Sequence, residues 1–156
     1  MARTHRLHTT TVLPLPRADV FAFFADAQNL ERITPPELAF EITTPTPIDI
    51  REGTLIDYRL GLFGVRFSWR TEIVTWEPSY RFTDQQLRGP YRLWHHTHTF
   101  VEVAGADGRP ATQMDDLVLW ELPLWPAGEL AYPAVRLQLE RIFRYRQKRI
   151  YELLGG

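Results

Sequence analysis

Residues 81–101 read RFTDQQLRGPYRLWHHTHTFV, two alternating runs broken by Gly89-Pro90. Alternation of period two marks a strand, whose successive side chains point to opposite faces. In the second run one face carries Trp94, His96, His98 and Phe100, and the other carries Leu93, His95, Thr97, Thr99 and Val101. Glycine followed by proline is a turn signal. Tyr80–Leu87 and Arg92–Val103 are therefore expected to pair as an antiparallel hairpin. Its first face mixes bulky aromatics with imidazoles, the composition of a surface that is buried and yet carries polar chemistry.

Working outward, more strands flank this hairpin. Thr112–Leu122 follows the turn Gly105–Pro110. Upstream lie Val65–Trp76, entered through Gly61–Gly64, then Thr54–Leu60 after Gly53, and Phe40–Thr44, closed by Pro45 and Pro47. In Val65–Trp76 one face takes Val65, Phe67, Trp69 and Ile73, and the other Arg66, Ser68, Arg70 and Glu72. Arg6–Leu13 is a first strand, stopped by Pro14 and Pro16. Strands joined by short turns imply an antiparallel meander. From Ala18 the spacing of Val20, Phe21, Phe23 and Phe24 predicts a helix, and a shorter helical piece through Leu30 and Ile33 ends at Pro35-Pro36. The chain closes with a helix over about Pro133–Leu154. Val135, Leu139, Ile142, Phe143, Ile150 and Leu153 recur there at helical spacing, and Gly155-Gly156 ends it. It is the only element long enough to cover the apolar face of the sheet. One α+β domain over residues 1–156 is expected.

The bulk composition agrees. Hydrophobic residues make up 44% and aromatic residues 13%, which excludes a disordered chain. Five Trp, six Tyr and nine Phe exceed the needs of an ordinary core and hint at an aromatic-lined cavity. A net charge of −1 gives no general attraction to nucleic acid or an anionic membrane. With no cysteine, disulfides, thiolate metal sites and thiol nucleophiles are excluded. Residues 1–16 lack a continuous apolar core and no run approaches a membrane span, so a cytoplasmic location is expected.

The segments LPLPRADVFAFFADAQNLERITPPELAFEI and RFTDQQLRGPYRLWHHTHTF resemble, respectively, the opening and the central hairpin of the START-like (SRPBCC) superfamily, in its bacterial polyketide cyclase/dehydrase-like branch. The resemblance covers essentially the whole chain. It implies a helix-grip fold: a seven-stranded curved antiparallel sheet wrapped around a long C-terminal helix, with two short helices after the first strand and a hydrophobic cavity between sheet and helix. It supplies no fixed catalytic motif, because members bind or transform very different molecules.

A three-residue turn, Gly89-Pro90-Tyr91, sets Gln86 opposite Trp94, Asp84 opposite His96 and Phe82 opposite His98. Pairing Phe100 with Met114 then sets His98 opposite Asp116 and His96 opposite Val118. A slip of one residue would reverse every face, and this register gathers Phe82, Trp94, Phe100, Met114, Val118 and Trp120 on one side. Two carboxylate–imidazole pairs follow, Asp84 with His96 and Asp116 with His98, since opposed Cβ atoms lie about 4.5–5.5 Å apart. Phe67, Trp69, Phe82, Trp94, Phe100, Val118 and Trp120 are expected as apolar walls for a ligand. Asp84, Gln86, His96, His98 and Asp116 are its expected polar contacts. Such a mixture fits a small-molecule pocket.

The expected function is binding of a small, largely hydrophobic molecule, lipid-, polyketide- or aromatic-like. The competing reading is an aromatase/cyclase- or dehydratase-type enzyme with His96 or His98 as proton carrier, and a non-catalytic interaction module is third. His96 and His98 with one aspartate have the composition of a two-histidine, one-carboxylate metal set, but His95 points away, and neither a metal nor a cofactor is expected. Leu62, Phe63, Leu124 and Trp125 are expected at a cavity rim; the same residues also suit a cap on the core, a membrane-surface contact or a homodimer contact. The many arginines of the terminal helix read as a solvated face, with Arg146 near enough the apolar stripe to reach a cavity carboxylate. No nucleic-acid motif is present, and no serine sits in a nucleophile elbow.

Overall fold

The computed structural model describes residues 2–155. Seven strands form one antiparallel sheet in the order β1-β7-β6-β5-β4-β3-β2. They are β1 (His5–Leu13), β2 (Glu41–Ile42), β3 (Leu55–Leu62), β4 (Val65–Glu77), β5 (Arg81–Arg88), β6 (Leu93–Ala104) and β7 (Pro110–Glu121). The helices are α1 (Arg17–Phe24), α2 (Asn29–Arg32) and α3 (Tyr132–Leu154). This is the expected α+β architecture. The strand expected at Phe40–Thr44 shrinks to two residues, hemmed by Pro36 and Leu38 in a short 3-10 turn and by the following prolines. Gly156 lies outside the described residues, and Gly155 N–H closes α3 on Tyr151 O at 2.7 Å.

Local chemistry explains these elements. The β3–β4 connection has two residues, Phe63 and Gly64, between the paired Leu62 and Val65. Both have positive φ, 52° and 77°, as a hairpin turn that matches strand twist requires. Strand β4 is interrupted by bulges between Arg70 and Thr71 and between Ile73 and Thr75. Bulges bend a strand and increase its twist, which accounts for a sheet that curls toward α3.

Helix α3 buries Val135, Leu139, Phe143, Arg146 and Ile150, spaced four, four, three and four residues apart, one face of a helix. Its 23 residues span about 35 Å. The core divides in two. Near α1, Phe21, Phe24, Phe82, Phe100, Met114 and Ile150 pack together, with Phe21 and Phe100 ring centres 5.3 Å apart. Toward the start of α3, Tyr58, Trp69, Tyr91, Trp94 and Trp120 join Leu139 and Phe143. A cavity opens between the halves.

Candidate functional site

The hairpin register is the expected one: Phe82 pairs with His98, Asp84 with His96, His98 with Asp116, His96 with Val118 and Phe100 with Met114. Alternation then turns Trp94, His96, His98 and Phe100 to the buried face, and all four are under 10% exposed. Behind the bulge at Ile73/Thr75, Asp84 stands opposite Ile73 and points inward with them.

The side-chain contacts cross the ladder. His96 Nε2 meets Asp116 Oδ1 at 2.7 Å, and His98 Nε2 meets Asp84 Oδ2 at 2.8 Å. The pairs expected from direct opposition are the looser ones: His96 Nδ1 is 3.8 Å from Asp84 Oδ2. His98 Nδ1 is 3.0 Å from Asp116 Oδ1 but lacks the alignment of a hydrogen bond. An imidazole is long enough to reach a diagonal neighbour across a sheet, so opposition of backbones does not select the partner. The two rings stack with centres 3.8 Å apart, and Phe82 stacks on His98 at 4.0 Å. From α3, Arg146 Nη2 lies 3.8 Å from Asp116 Oδ1.

Burial and charge set the protonation of this cluster. Burial works against the Asp116 carboxylate, yet the Arg146 charge, the hydrogen bond from His96 and the close approach of His98 overcome it and hold the carboxyl well below its usual range. Asp84 is likewise held down, against its burial, by His96, His98 and Arg146. The histidines separate. His96 is pushed down to about 4 by burial and by the neighbouring His98. His98 is raised, because contacts with Asp116 and Asp84 outweigh the cost of burying its charge. With the proton on His98, the histidine whose contacts favour it, the cluster holds two carboxylates, one imidazolium, one guanidinium and one neutral imidazole. Its charges cancel, which a buried group of ions needs. Close by, burial keeps the Tyr58 phenol protonated, its acidity weakened further by Asp84.

The cavity beside the cluster measures about 170 Å³ and is walled mainly by apolar groups. Of the residues expected to contact a ligand, Trp69, Phe82, Asp84, Trp94, His96 and His98 line it, as does Leu62 from the expected rim. Asp116 supports both histidines from behind. Phe100, Val118 and Trp120 are packed core beyond the cavity wall, and Phe67 packs at the edge of the aromatic half. Gln86 turns away: its Nε2 donates to Tyr91 O at 2.6 Å and its Oε1 accepts from Tyr91 N–H at 3.2 Å, so it braces the Gly89 turn. Phe63, Leu124 and Trp125 stay outside the lining and are largely exposed.

Several lining residues were not among the expected ligand contacts: Ile56, Tyr58 and Leu60 of β3, Tyr91, and Leu139 and Phe143 of α3; Arg146, expected within reach of a cavity carboxylate, lines the cavity too. The β3 set repeats with period two in LIDYRLGL, a signal present in the sequence. Asp84, His96 and His98 also place one donor atom each within 4.8 Å of one another. The nitrogens nearest the carboxylates are already engaged, and Arg146 brings positive charge to the same spot.

A family model described as polyketide cyclase / dehydrase and lipid transport matches residues 13–144. No curated protein matches the sequence. Among solved structures, the Zhui aromatase/cyclase from a Streptomyces species superposes with a TM-score of 0.69 at 15% identity, covering 95% of this chain and 92% of that one. A truncated norcoclaurine synthase from Thalictrum flavum gives 0.69 at 14% identity, covering 97% and 94%. A START superfamily protein from Mycobacterium smegmatis gives 0.66 at 14% identity, covering 96% and 99%. At these identities the likeness is one of fold. No helix among the described residues is long and apolar enough to cross a membrane.

Proposed function

The chain belongs to the polyketide cyclase / dehydrase and lipid transport family, with the START-like helix-grip fold, and from that premise we propose that it binds a small, largely hydrophobic molecule between sheet and terminal helix. The observation that carries this reading is an apolar cavity with a charge-balanced polar cluster set into one wall. A purely structural core gains nothing from a void, since unfilled volume costs stability. At about 170 Å³ it compares with the roughly 150 Å³ of an apolar cavity that takes benzene, which favours a ligand built around one aromatic ring.

Native mass spectrometry of the protein purified from its own host tests this. A co-purifying small molecule is expected, and Leu60→Trp, which fills the cavity from β3, is expected to lose it. A molecule retained equally by Leu60→Trp sits elsewhere and overturns the reading.

A second reading, acid–base catalysis of the cyclase or dehydratase kind, draws support from one feature. Two adjacent imidazoles have their proton affinities pushed in opposite directions, the arrangement by which acid and base roles are assigned. Turnover of an identified ligand that survives both His96→Ala and His98→Ala excludes it.

A further inference from the structure

Five buried side-chain atoms among the described residues lack a hydrogen-bond partner, and two of them, His98 Nδ1 and Arg146 Nε, belong to the polar cluster. Arg146 is the larger anomaly. Arg136, Arg141 and Arg149 of the same helix pair on the surface with Glu140, Glu37 and Glu152. Arg146 instead enters the buried stripe between Phe143 and Ile150 and is 8% exposed. Its ring neighbours are Phe24 and Phe143, each with its centre 5.8 Å from the guanidinium carbon. Its one carboxylate contact within 4 Å among the described residues, Asp116 at 3.8 Å, is beyond hydrogen-bond range.

A guanidinium offers five donors in a planar fork and stays charged. Buried polar groups are normally satisfied, and one that is not calls for a partner. Asp116 takes the hydrogen bond of His96 and the close approach of His98 on Oδ1, the same oxygen that lies 3.8 Å from Arg146. Asp84 is committed to His98. Neither carboxylate hydrogen-bonds the Arg146 guanidinium, and Arg146 is among the residues that line the cavity.

The geometry points to Arg146 as the anchor for an acidic head group, a carboxylate or a comparable planar oxyanion, on the ring-bearing ligand proposed above. The inference rests on that reading of the cavity and goes further in naming the ligand's charge. A planar oxyanion matches the guanidinium fork with two parallel hydrogen bonds, and the negative charge it adds to the cluster is balanced by a proton taken up on the neighbouring neutral imidazole, His96. The apolar remainder of the ligand then lies along the wall formed by Trp69, Trp94 and Phe82.

The test compares trans-cinnamate with cinnamyl alcohol, which share a ring and chain and differ in the head group. Affinity is read by titration calorimetry on the wild type, Arg146→Met and Arg146→Lys. The wild type is expected to prefer cinnamate at least ten-fold. Arg146→Met should bring the two probes within two-fold of each other while keeping affinity for the alcohol, and Arg146→Lys should fall between. A wild type that binds the alcohol as well as the acid overturns the inference and leaves the cavity reading standing. Preference for cinnamate that survives in a folded Arg146→Met overturns the inference too. Failure of both probes to bind the wild type overturns the cavity reading for single-ring ligands, and the inference with it.

Discussion

Asp115 and Asp116 are neighbours on β7 and face opposite sides of the sheet. Each is surrounded by histidine and hydroxyl or cationic partners, but with different consequences. Asp115 accepts from Thr10 Oγ1 at 2.6 Å and Gln113 Nε2 at 3.1 Å, and lies 3.2 Å from His8 Nε2, a half-exposed side chain. Asp116 holds His96 and stands beside His98 and Arg146 with 4% of its side chain exposed. Water serves as a partner of last resort on the outer face. On the inner face Asp116 is buried, and its charge is balanced by other parts of the chain.

The largest expected effect breaks that contrast directly. Asp116→Asn keeps the shape of the side chain and leaves Asp84, bonded to His98, as the one carboxylate for two buried cations, His98 and Arg146. Removing one partner of a buried ionic group costs about 3–5 kcal/mol. The matching change on the outer face, Asp115→Asn, is expected to cost no more than about 1 kcal/mol. Urea unfolding of both variants, compared by midpoint at unchanged slope, measures the difference. Equal losses would mean that the inner cluster is hydrated and that burial is not what sets its energetics.

The next effect is on the pH dependence of stability. His96 is held at about 4 in the folded protein, against about 6.5 in the unfolded chain. Between those values the unfolded state binds the extra proton, so stability rises with pH through that window. Its size is on the order of 1 kcal/mol per pH unit. The groups facing His96 are Asp84 on β5, His98 on β6, Asp116 on β7 and Arg146 on α3. His98 acts with the opposite sign. Its folded value is raised, so its contribution is fully present below about 6.5 and is lost as the pH climbs through the raised value. Stability is expected to peak near neutrality. Denaturant midpoints measured from pH 4 to 9 should lose their acid slope in His96→Gln and keep it in His8→Gln. An acid slope that persists in His96→Gln assigns the titration elsewhere.

These contrasts depend on facing, and facing was the part most legible in the sequence. Strict alternation through Trp94–Phe100 fixed which side chains share a side, and the assumption of a three-residue turn gave the residue-to-residue register. What alternation does not carry is how far along a strand a void extends. Phe100, Val118 and Trp120 lie on the right face and are simply core, because α1 and the start of α3 fill the space above them. Nor does it carry side-chain reach, which is why the carboxylate–imidazole partners came out exchanged. Gln86 was misplaced for a local reason: its amide satisfies the backbone of Tyr91 at the turn, and turn chemistry competes with the ladder. Arg146 was visible as an arginine near an apolar stripe. Its lack of partners needed the three-dimensional arrangement.

The smallest expected effect concerns metal. Asp84, His96 and His98 have the composition and closeness of a metal site, so zinc is the sharpest probe of whether charge balance governs the inner face. Binding a divalent cation requires His98 to give up its proton. With Asp84, Asp116 and Arg146 unchanged, the buried cluster would move from neutral to a net charge of plus one. Ligation would also break the His98–Asp84 or His96–Asp116 hydrogen bond. Zinc titration of the wild type at neutral pH is therefore expected to give no stoichiometric heat, and saturating zinc should leave the unfolding midpoint unchanged, since only a ligand that binds the folded state shifts it. Arg146→Met removes the opposing cation and restores neutrality with zinc present, so that variant should gain zinc affinity. Stoichiometric zinc binding by the wild type that His96→Gln abolishes would replace the charge-balanced cluster with a metal centre. It would also remove the reason for expecting an acidic ligand at Arg146.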